Sequence, residues 1–147
     1  MKNENQVLRI PVGAPACGKS TDSIKWVEED PKTRVRINRD SIREMMGPYW
    51  IPSREPLAQI MENDLLLTAL RNGYSVVLDA TNFKFKDSVL EKDIINIYPN
   101  LKIEYIDFTH VSAEECIKRD KARDRSVGAM VIRSFYKNYI NKNEKEG

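Results

Sequence analysis

The stretch VGAPACGKST, residues 12–21, decides the fold. Gly13 and Gly18 stand five positions apart, Lys19, Ser20 and Thr21 follow at once, and the apolar run VLRIPV (7–12) comes directly before. The apolar run reads as a strand, and the pattern G-x-x-x-x-G-K-S between a strand and a helix makes a loop that wraps a polyphosphate. The glycines permit a tight turn in which successive N–H groups point inward, and the helix N-terminus adds roughly half a positive charge. Gly13, Ala14, Pro15, Ala16, Cys17 and Gly18 supply the wrapping backbone. Lys19 reaches the β- and γ-phosphate oxygens, Ser20 presents its hydroxyl to Mg²⁺, and Thr21 touches the α-phosphate. Cys17 is a spacer; a thiol activated by the helix end is the alternative.

Working outward, periodicity predicts strands over 7–12, 35–38, 75–79 and 103–108. Helices are predicted over 19–29, 41–46, 57–71, 86–97, 112–123 and 130–141, with a loop at GPYWIPSREP (47–56). Ser112 and Glu115 form a capping box for the fifth helix. This alternation implies an α/β three-layer sandwich of P-loop NTPase type, a central parallel sheet of four to five strands flanked by helices, with ligands at the strands' carboxyl ends. At 147 residues a single domain over 1–147 is expected, with an arginine-bearing lid at about 123–130 and a polar tail at about 141–147.

Hydrophobic content of 41% and charged content of 31% exclude a disordered chain. A net charge of +2 means that any nucleic-acid footprint must be local. Cys17 and Cys116 lack the spacing of a zinc knuckle or a disulfide framework. No apolar run approaches membrane-spanning length and no signal peptide precedes the first strand, so a cytoplasmic setting is expected.

A phosphate loop serves switches, motors and kinases alike. A guanine-nucleotide switch needs an Asn-Lys-x-Asp segment, which is missing, and a motor ATPase normally ends an apolar strand in adjacent acids. SVVLDATN (75–82) ends in one acid, Asp79. A phosphotransferase with a closing lid fits better. Three segments then matter. In RINRDSIREMM (36–46), Asp40 follows a strand end and opens a helix; it either takes the proton of an attacking hydroxyl or is a helix N-cap. Arg43, one turn later, points the same way and can grip an acceptor phosphate. Asp79, Thr81 and Asn82 either meet phosphate, metal water or acceptor, or form a turn and cap for the next helix. From Cys116 to Tyr139 there are seven Lys/Arg and two Asp. Arg119 and Arg123 share a helix face and Arg125 follows in a loop with Gly128; these stabilise charge on a transferring phosphoryl, or form a solvated face partnered by Asp120 and Asp124.

Taken in order, GAPACGKST (13–21), INRDSIREMM (37–46), LDATN (78–82) and KRDKARDRSVGAMVIRSFY (118–136) carry a resemblance over most of the chain. The chain resembles the 5′-kinase domain of the phage-type polynucleotide kinases, the bacteriophage T4-like family of nucleic acid end repair. The resemblance implies transfer of the ATP γ-phosphate, with Mg²⁺, to the 5′-OH end of DNA or RNA. By motif position it implies Lys19 and Ser20 on phosphate and metal, Asp40 as general base, Arg43 on the acceptor's first phosphate, and Arg123 as the lid arginine. Three features depart from the family: the 3′-phosphatase motif Asp-x-Asp-x-Thr is missing, Val127-Gly128 stands where Val-Pro is frequent beneath the terminal base, and Asp79 is displaced by one from the Thr-Asn pair.

The rival readings are a small-molecule kinase acting on a nucleoside or sugar, and a nucleotide-dependent binding module without transfer. Elsewhere, Tyr49 and Trp50 either stack on an unpaired base or cover a helix edge. His110 reads as a solvated loop residue, Trp26 as core, and Met45, Met46 and Met61 as helix-face packing. Pro11 removes a ladder donor inside a strand.

Overall fold

The computed structural model describes residues 5–123 and 126–141. Among these, four strands form one parallel sheet: β1 (Val7–Val12), β2 (Arg34–Asn38), β3 (Ser75–Asp79) and β4 (Lys102–Asp107), in the order β2-β3-β1-β4. The helices are α1 (Lys19–Glu29), α2 (Arg39–Met45), α3 (Glu55–Arg71), α4 (Val89–Ile97), α5 (Ala113–Lys121) and α6 (Ala129–Phe135). A π-helical turn, Tyr136–Ile140, extends α6, and a 3₁₀ turn, Pro52–Arg54, leads into α3. This is the expected α/β sandwich of P-loop type.

β3 is buried at all five positions, as a central strand covered on both faces must be. Right-handed crossovers put α1 on one face and α3 with α4 on the other. Under the second pair lies the main core: Leu8, Ile10, Ile42, Ala58, Leu66, Leu70, Leu78, Ile94 and neighbours. A second cluster joins the loop after β1 to α5 and α6 through Ala14, Cys17, Cys116, Ile117, Ile132 and Tyr136. The Tyr136 hydroxyl donates to the carbonyl of Val111 and lies 3.3 Å from Cys116 Sγ.

Some predicted boundaries moved for identifiable reasons. α4 starts at Val89 and not at Lys86, because Asp87 takes a left-handed φ of 65° and Ser88 caps the helix through Glu91 N. α2 begins at Arg39, one residue after its cap, Asn38. Ser112 does cap α5 through Glu115 N, but the Glu115 carboxylate pairs with Arg119. Met46 and Met61 pack on the core as expected, whereas Met45 is exposed. Trp26 is buried, with the Arg34 guanidinium 4.5 Å from its ring centre.

α2 is tied to α3 by a buried ion pair. Arg39 donates to both Glu62 oxygens, at 2.5 and 3.2 Å, and Glu62 is almost wholly enclosed. Arg39 also donates to Gln59 Oε1 at 2.5 Å and lies 3.9 Å from Glu55, so the enclosed Glu62 is the partner that bears the cost when the pair is broken. Arg39→Ala should lower unfolding free energy by about 3 kcal/mol, read from the urea midpoint at unchanged m-value.

Candidate nucleotide and acceptor site

After β1 the chain turns through two left-handed residues, Ala16 (φ 66°) and Gly18 (φ 104°). For Ala16 this conformation costs roughly 1–2 kcal/mol, so the loop holds a strained backbone. Gly13 is required for space: a Cβ there would sit 2.6 Å from Cys17 Sγ and 2.8 Å from Phe108 Cβ. The loop thus wraps closely enough that no side chain fits at its first glycine. Lys19 is buried, and its ammonium donates to the carbonyls of Gly13 at 2.8 Å and Ala14 at 2.6 Å, with Cys17 Sγ at 3.3 Å. Ser20 and Thr21 are exposed in the first turn of α1. Pro15 is half-buried. A backbone cradle, an inward ammonium and an exposed hydroxyl are the donor set that a polyphosphate with a divalent cation requires, so these residues fit both.

The exit of β3 is fastened to this loop. Gly13 N donates to the carbonyl of Thr81 at 3.2 Å. Asn82 sits at φ 57° and its side-chain amide donates to the carbonyls of Pro11 (2.8 Å), Leu78 (2.7 Å) and Ala80 (3.2 Å). The Asn82 amide is therefore spent on backbone, which is the turn reading of this segment. Asp79 is buried, and its carboxylate receives Arg36 Nε at 2.8 Å and Nη2 at 2.7 Å from β2. Pro11, whose missing donor had no sequence-level account, is an acceptor for Asn82.

Asp40 is not the helix cap. Asn38 Oδ1 accepts from Ser41 N and Oγ, both at 2.9 Å, while Asn38 Nδ2 donates to the carbonyl of Asp79 at 3.0 Å. Asp40 stands in the first turn of α2 with its side chain 49% exposed, at the carboxyl edge of the sheet two strands from β1. Two donors converge on Asp40 Oδ1: Arg43 Nη1 at 2.6 Å and the Tyr49 hydroxyl at 2.7 Å. Arg43 is held in turn by Glu55, through Nε at 2.9 Å and Nη2 at 2.5 Å. Burial works against the Arg43 charge, but the bonds to Glu55 and Asp40 outweigh it and raise its pKa. The same Arg43 bonds hold the Glu55 carboxyl below its usual range. Burial, then the bond to Asp40, pushes the Tyr49 phenol up to about 12. Tyr49 and Glu55 have no motif signal; only their neighbourhood with Asp40 in space shows their part.

On the lid side, Arg119 pairs with Glu115 at 2.9 Å, and its Nη1 lies 3.5 Å from where a Cβ on Gly18 would stand. The structure thus brings Arg119 over the phosphate loop. Arg123 Nη2 donates to Asp120 Oδ1 at 2.7 Å. Asp120 is fully buried, not part of a solvated face, and also accepts from Val127 N (3.0 Å) and Gly128 N (2.9 Å). One carboxylate therefore anchors Arg123, the arginine expected to act as a lid residue, and both amides that lead into α6. Val127 is half-buried and packs on the second cluster. Arg125 and Asp124 lie outside the described residues. Burial raises the Asp120 pKa, but the two amides and Arg123 overcome that, and the net position is below the ordinary value.

A phosphate loop, a half-exposed carboxylate at the same sheet edge and an anchored arginine segment define a nucleotide-binding P-loop domain of kinase type. The chain matches the AAA_33 family model, described as an AAA domain, over residues 8–139, and it belongs to that family. It is 28% identical over 137 residues to an L-seryl-tRNA(Sec) kinase from Methanococcus maripaludis, covering 90% of this chain and 52% of the relative. It superposes on a chain of the Pnkp1/Rnl/Hen1 RNA repair complex with a TM-score of 0.73 at 24% identity, covering 99% of this chain and 47% of that one. A second structure of a Pnkp1/Rnl/Hen1 complex gives 0.61 at 27%, with 86% and 43% covered. The chain spans about half the length of these relatives. Among the described residues no helix is long and apolar enough to cross a membrane.

Two outcomes follow from this geometry. Asn82→Ala strands three carbonyl partners and puts Ala in a left-handed position, so stability should fall by about 2–3 kcal/mol. Titrating a nucleotide into that variant should show weaker binding, because the phosphate loop loses its fastening. Asp120 and Glu55 have folded pKa values below their ordinary ones. Their stabilisation is complete above an unfolded value of about 4 and is lost as pH falls through the folded value. Urea midpoints measured downward from neutral pH should drop in this acid window, and less steeply in Asp120→Asn than in the parent.

Proposed function

We propose that this domain is a polynucleotide 5′-hydroxyl kinase, moving the γ-phosphate of ATP to the 5′-OH end of DNA or RNA. One observation carries the reading: Asp40 is a half-exposed carboxylate at the loop's own sheet edge, with both of its donors on Oδ1. That leaves Oδ2, which receives no hydrogen bond among the described residues, for the proton of an attacking hydroxyl. Asp40 follows β2, which lies two strands from β1 in the sheet, so the carboxylate and the phosphate loop emerge at the same carboxyl edge. The likeness to chains of an RNA repair complex and to a tRNA kinase supports a nucleic-acid acceptor.

In the reaction, Lys19 and the loop amides hold the β- and γ-phosphates. Asp40 Oδ2 takes the proton as the acceptor oxygen attacks phosphorus, and the bond to the bridging oxygen of ADP breaks. Ser20 would hold Mg²⁺, which supplies charge neutralisation between phosphate oxygens when bound. Arg119 and Arg123 contribute positive charge to the equatorial oxygens, and the same role is proposed for Arg125, which lies outside the described residues. Arg43 orients Asp40 and, with two of its five N–H groups uncommitted in the bonds above, can also reach an acceptor phosphate. Thr21 is assigned to the α-phosphate; of the expected substrate contacts, Thr81 and Val127 stand as candidates, whereas the Asp79 carboxylate is taken by Arg36 and the Asn82 amide by backbone carbonyls.

A second reading has a specific support, the seryl-tRNA kinase relative: the acceptor is then the serine hydroxyl of a seryl-tRNA. Both acceptors are alcohols on a polyanion. Incubation with γ-labelled ATP and, in parallel, 5′-OH DNA, 5′-OH RNA, seryl-tRNA and a panel of nucleosides and sugars separates them. Label at oligonucleotide 5′ ends is expected; label confined to seryl-tRNA or to a small molecule overturns the proposal. Asp40→Asn should lower transfer by about 10²–10⁴-fold while ATP affinity stays near that of the parent. Lys19→Ala should lose both.

A further inference from the structure

We propose that Trp50 is a stacking platform for the nucleobase that adjoins the reacting hydroxyl, so that the enzyme selects acceptor ends carrying a base. This rests on the polynucleotide reading above and deepens it. Trp50 is 57% exposed, yet it is not loosely placed: the Arg43 guanidinium lies 5.3 Å from its ring centre. Arg43 is itself fixed by three bonds to Asp40 and Glu55. Tyr49, the preceding residue, donates to Asp40. The indole is thus positioned by the same side chains that position the proton acceptor.

The segment that carries it is pinned at both ends. Arg54 donates to the carbonyl of Met46, and its Nη1 lies 3.2 Å from where a Cβ on Gly47 would stand, with Gly47 at φ 115°. Pro48 and Pro52 flank the pair and reduce its backbone freedom. A loop closed this way holds an aromatic face at low entropic cost on binding.

The other aromatic side chains near the sheet's carboxyl edge have partners. Phe83 and Tyr139 stack at 4.7 Å with Phe135 beside them at 5.8 and 5.9 Å, and Lys86 lies 5.7 Å from the Tyr105 ring. Trp26 is buried, and Tyr74 precedes the amino end of β3, at the opposite edge from the site. Among the described residues Trp50 is the aromatic that is both largely exposed and in contact with the Asp40 cluster. Every base has a π-face, so stacking there discriminates a base from no base, with little preference among the four.

The test compares transfer from labelled ATP to a 5′-hydroxyl hexanucleotide and to the same hexanucleotide made abasic at its first residue. In the parent enzyme the abasic end should raise the acceptor KM about tenfold. Trp50→Leu should raise KM for the intact end by a similar factor and erase the difference, and Trp50→Phe should restore most of it. Trp50 fluorescence, isolated by subtracting the Trp50→Phe signal, should be quenched by the intact hexanucleotide without ATP and not by the abasic one. If Trp50→Leu keeps the parent's preference, or the parent phosphorylates both ends with equal KM, the stacking role is overturned while the polynucleotide reading stands. A parent enzyme that labels neither end overturns both.

Discussion

Two side-chain amides hold three strand ends in register at the site. Asn38 caps α2 with its oxygen and donates to the carbonyl of Asp79 with its nitrogen, locking the exit of β2 to that of β3. Asn82 donates to the carbonyls of Pro11, Leu78 and Ala80, locking the exit of β3 to that of β1. Strand ends in a parallel sheet are where backbone groups lose their ladder partners, and an unpaired buried carbonyl costs free energy. These amides satisfy those carbonyls and, in doing so, set Asp40 relative to the Lys19 loop. The geometry of the site is therefore a consequence of how the sheet finishes its hydrogen bonds.

The loop after β1 depends on that fastening. Gly13 has no room for a side chain and Ala16 is held at positive φ, so the turn stores strain that a free loop would release. The bond from Gly13 N to Thr81, the packing of Cys17 and Ala14 into the second cluster, and the Lys19 bonds to two carbonyls over-determine it. Lys19 is satisfied inside its own loop, which keeps a buried ammonium from costing the desolvation of an unpaired charge.

Most of the framework was legible because it follows from period and punctuation. β1, α1 and β3 fall on the predicted residues, since an apolar run before a glycine loop and a fully buried SVVLD segment admit few other readings. α4 was misplaced at its start because Asp87 adopts a left-handed conformation that apolar spacing does not encode. Lys19 and Asp40 were legible as polar groups at strand ends, and the structure puts both at the sheet's carboxyl edge. What distinguishes Asp40 from a cap was not: it depends on Asn38 taking the cap first, and on Tyr49 and Glu55 arriving from later segments. The burial of Asp120 was not legible either: the solvated face was one of two alternatives for its segment, and a charged residue in a charged helix shows no sign of burial until Val127 and Gly128 fold back onto it. Pairings across tens of residues are set by packing, and composition alone does not carry them.

The charge around Asp40 constrains where help for an anionic acceptor must come from. Two guanidiniums, Arg39 and Arg43, face three carboxylates, Asp40, Glu55 and Glu62, within one connected network. That network carries one more carboxylate than guanidinium and is largely self-satisfied, so its residues hold one another in place. Lys19 and Arg119, the arginine of α5, lie at the phosphate loop, with Arg119 Nη1 over Gly18. Positive charge thus gathers at the phosphate loop, while the surroundings of Asp40 offer a carboxylate and aromatic rings. Under the proposed reaction, that division lets a hydroxyl, not a phosphate, dock deepest against Asp40. One buried carboxylate, Asp120, ties Arg123 to the Val127 and Gly128 amides, so the segment that enters α6 is held beside the arginine that the proposed reaction uses.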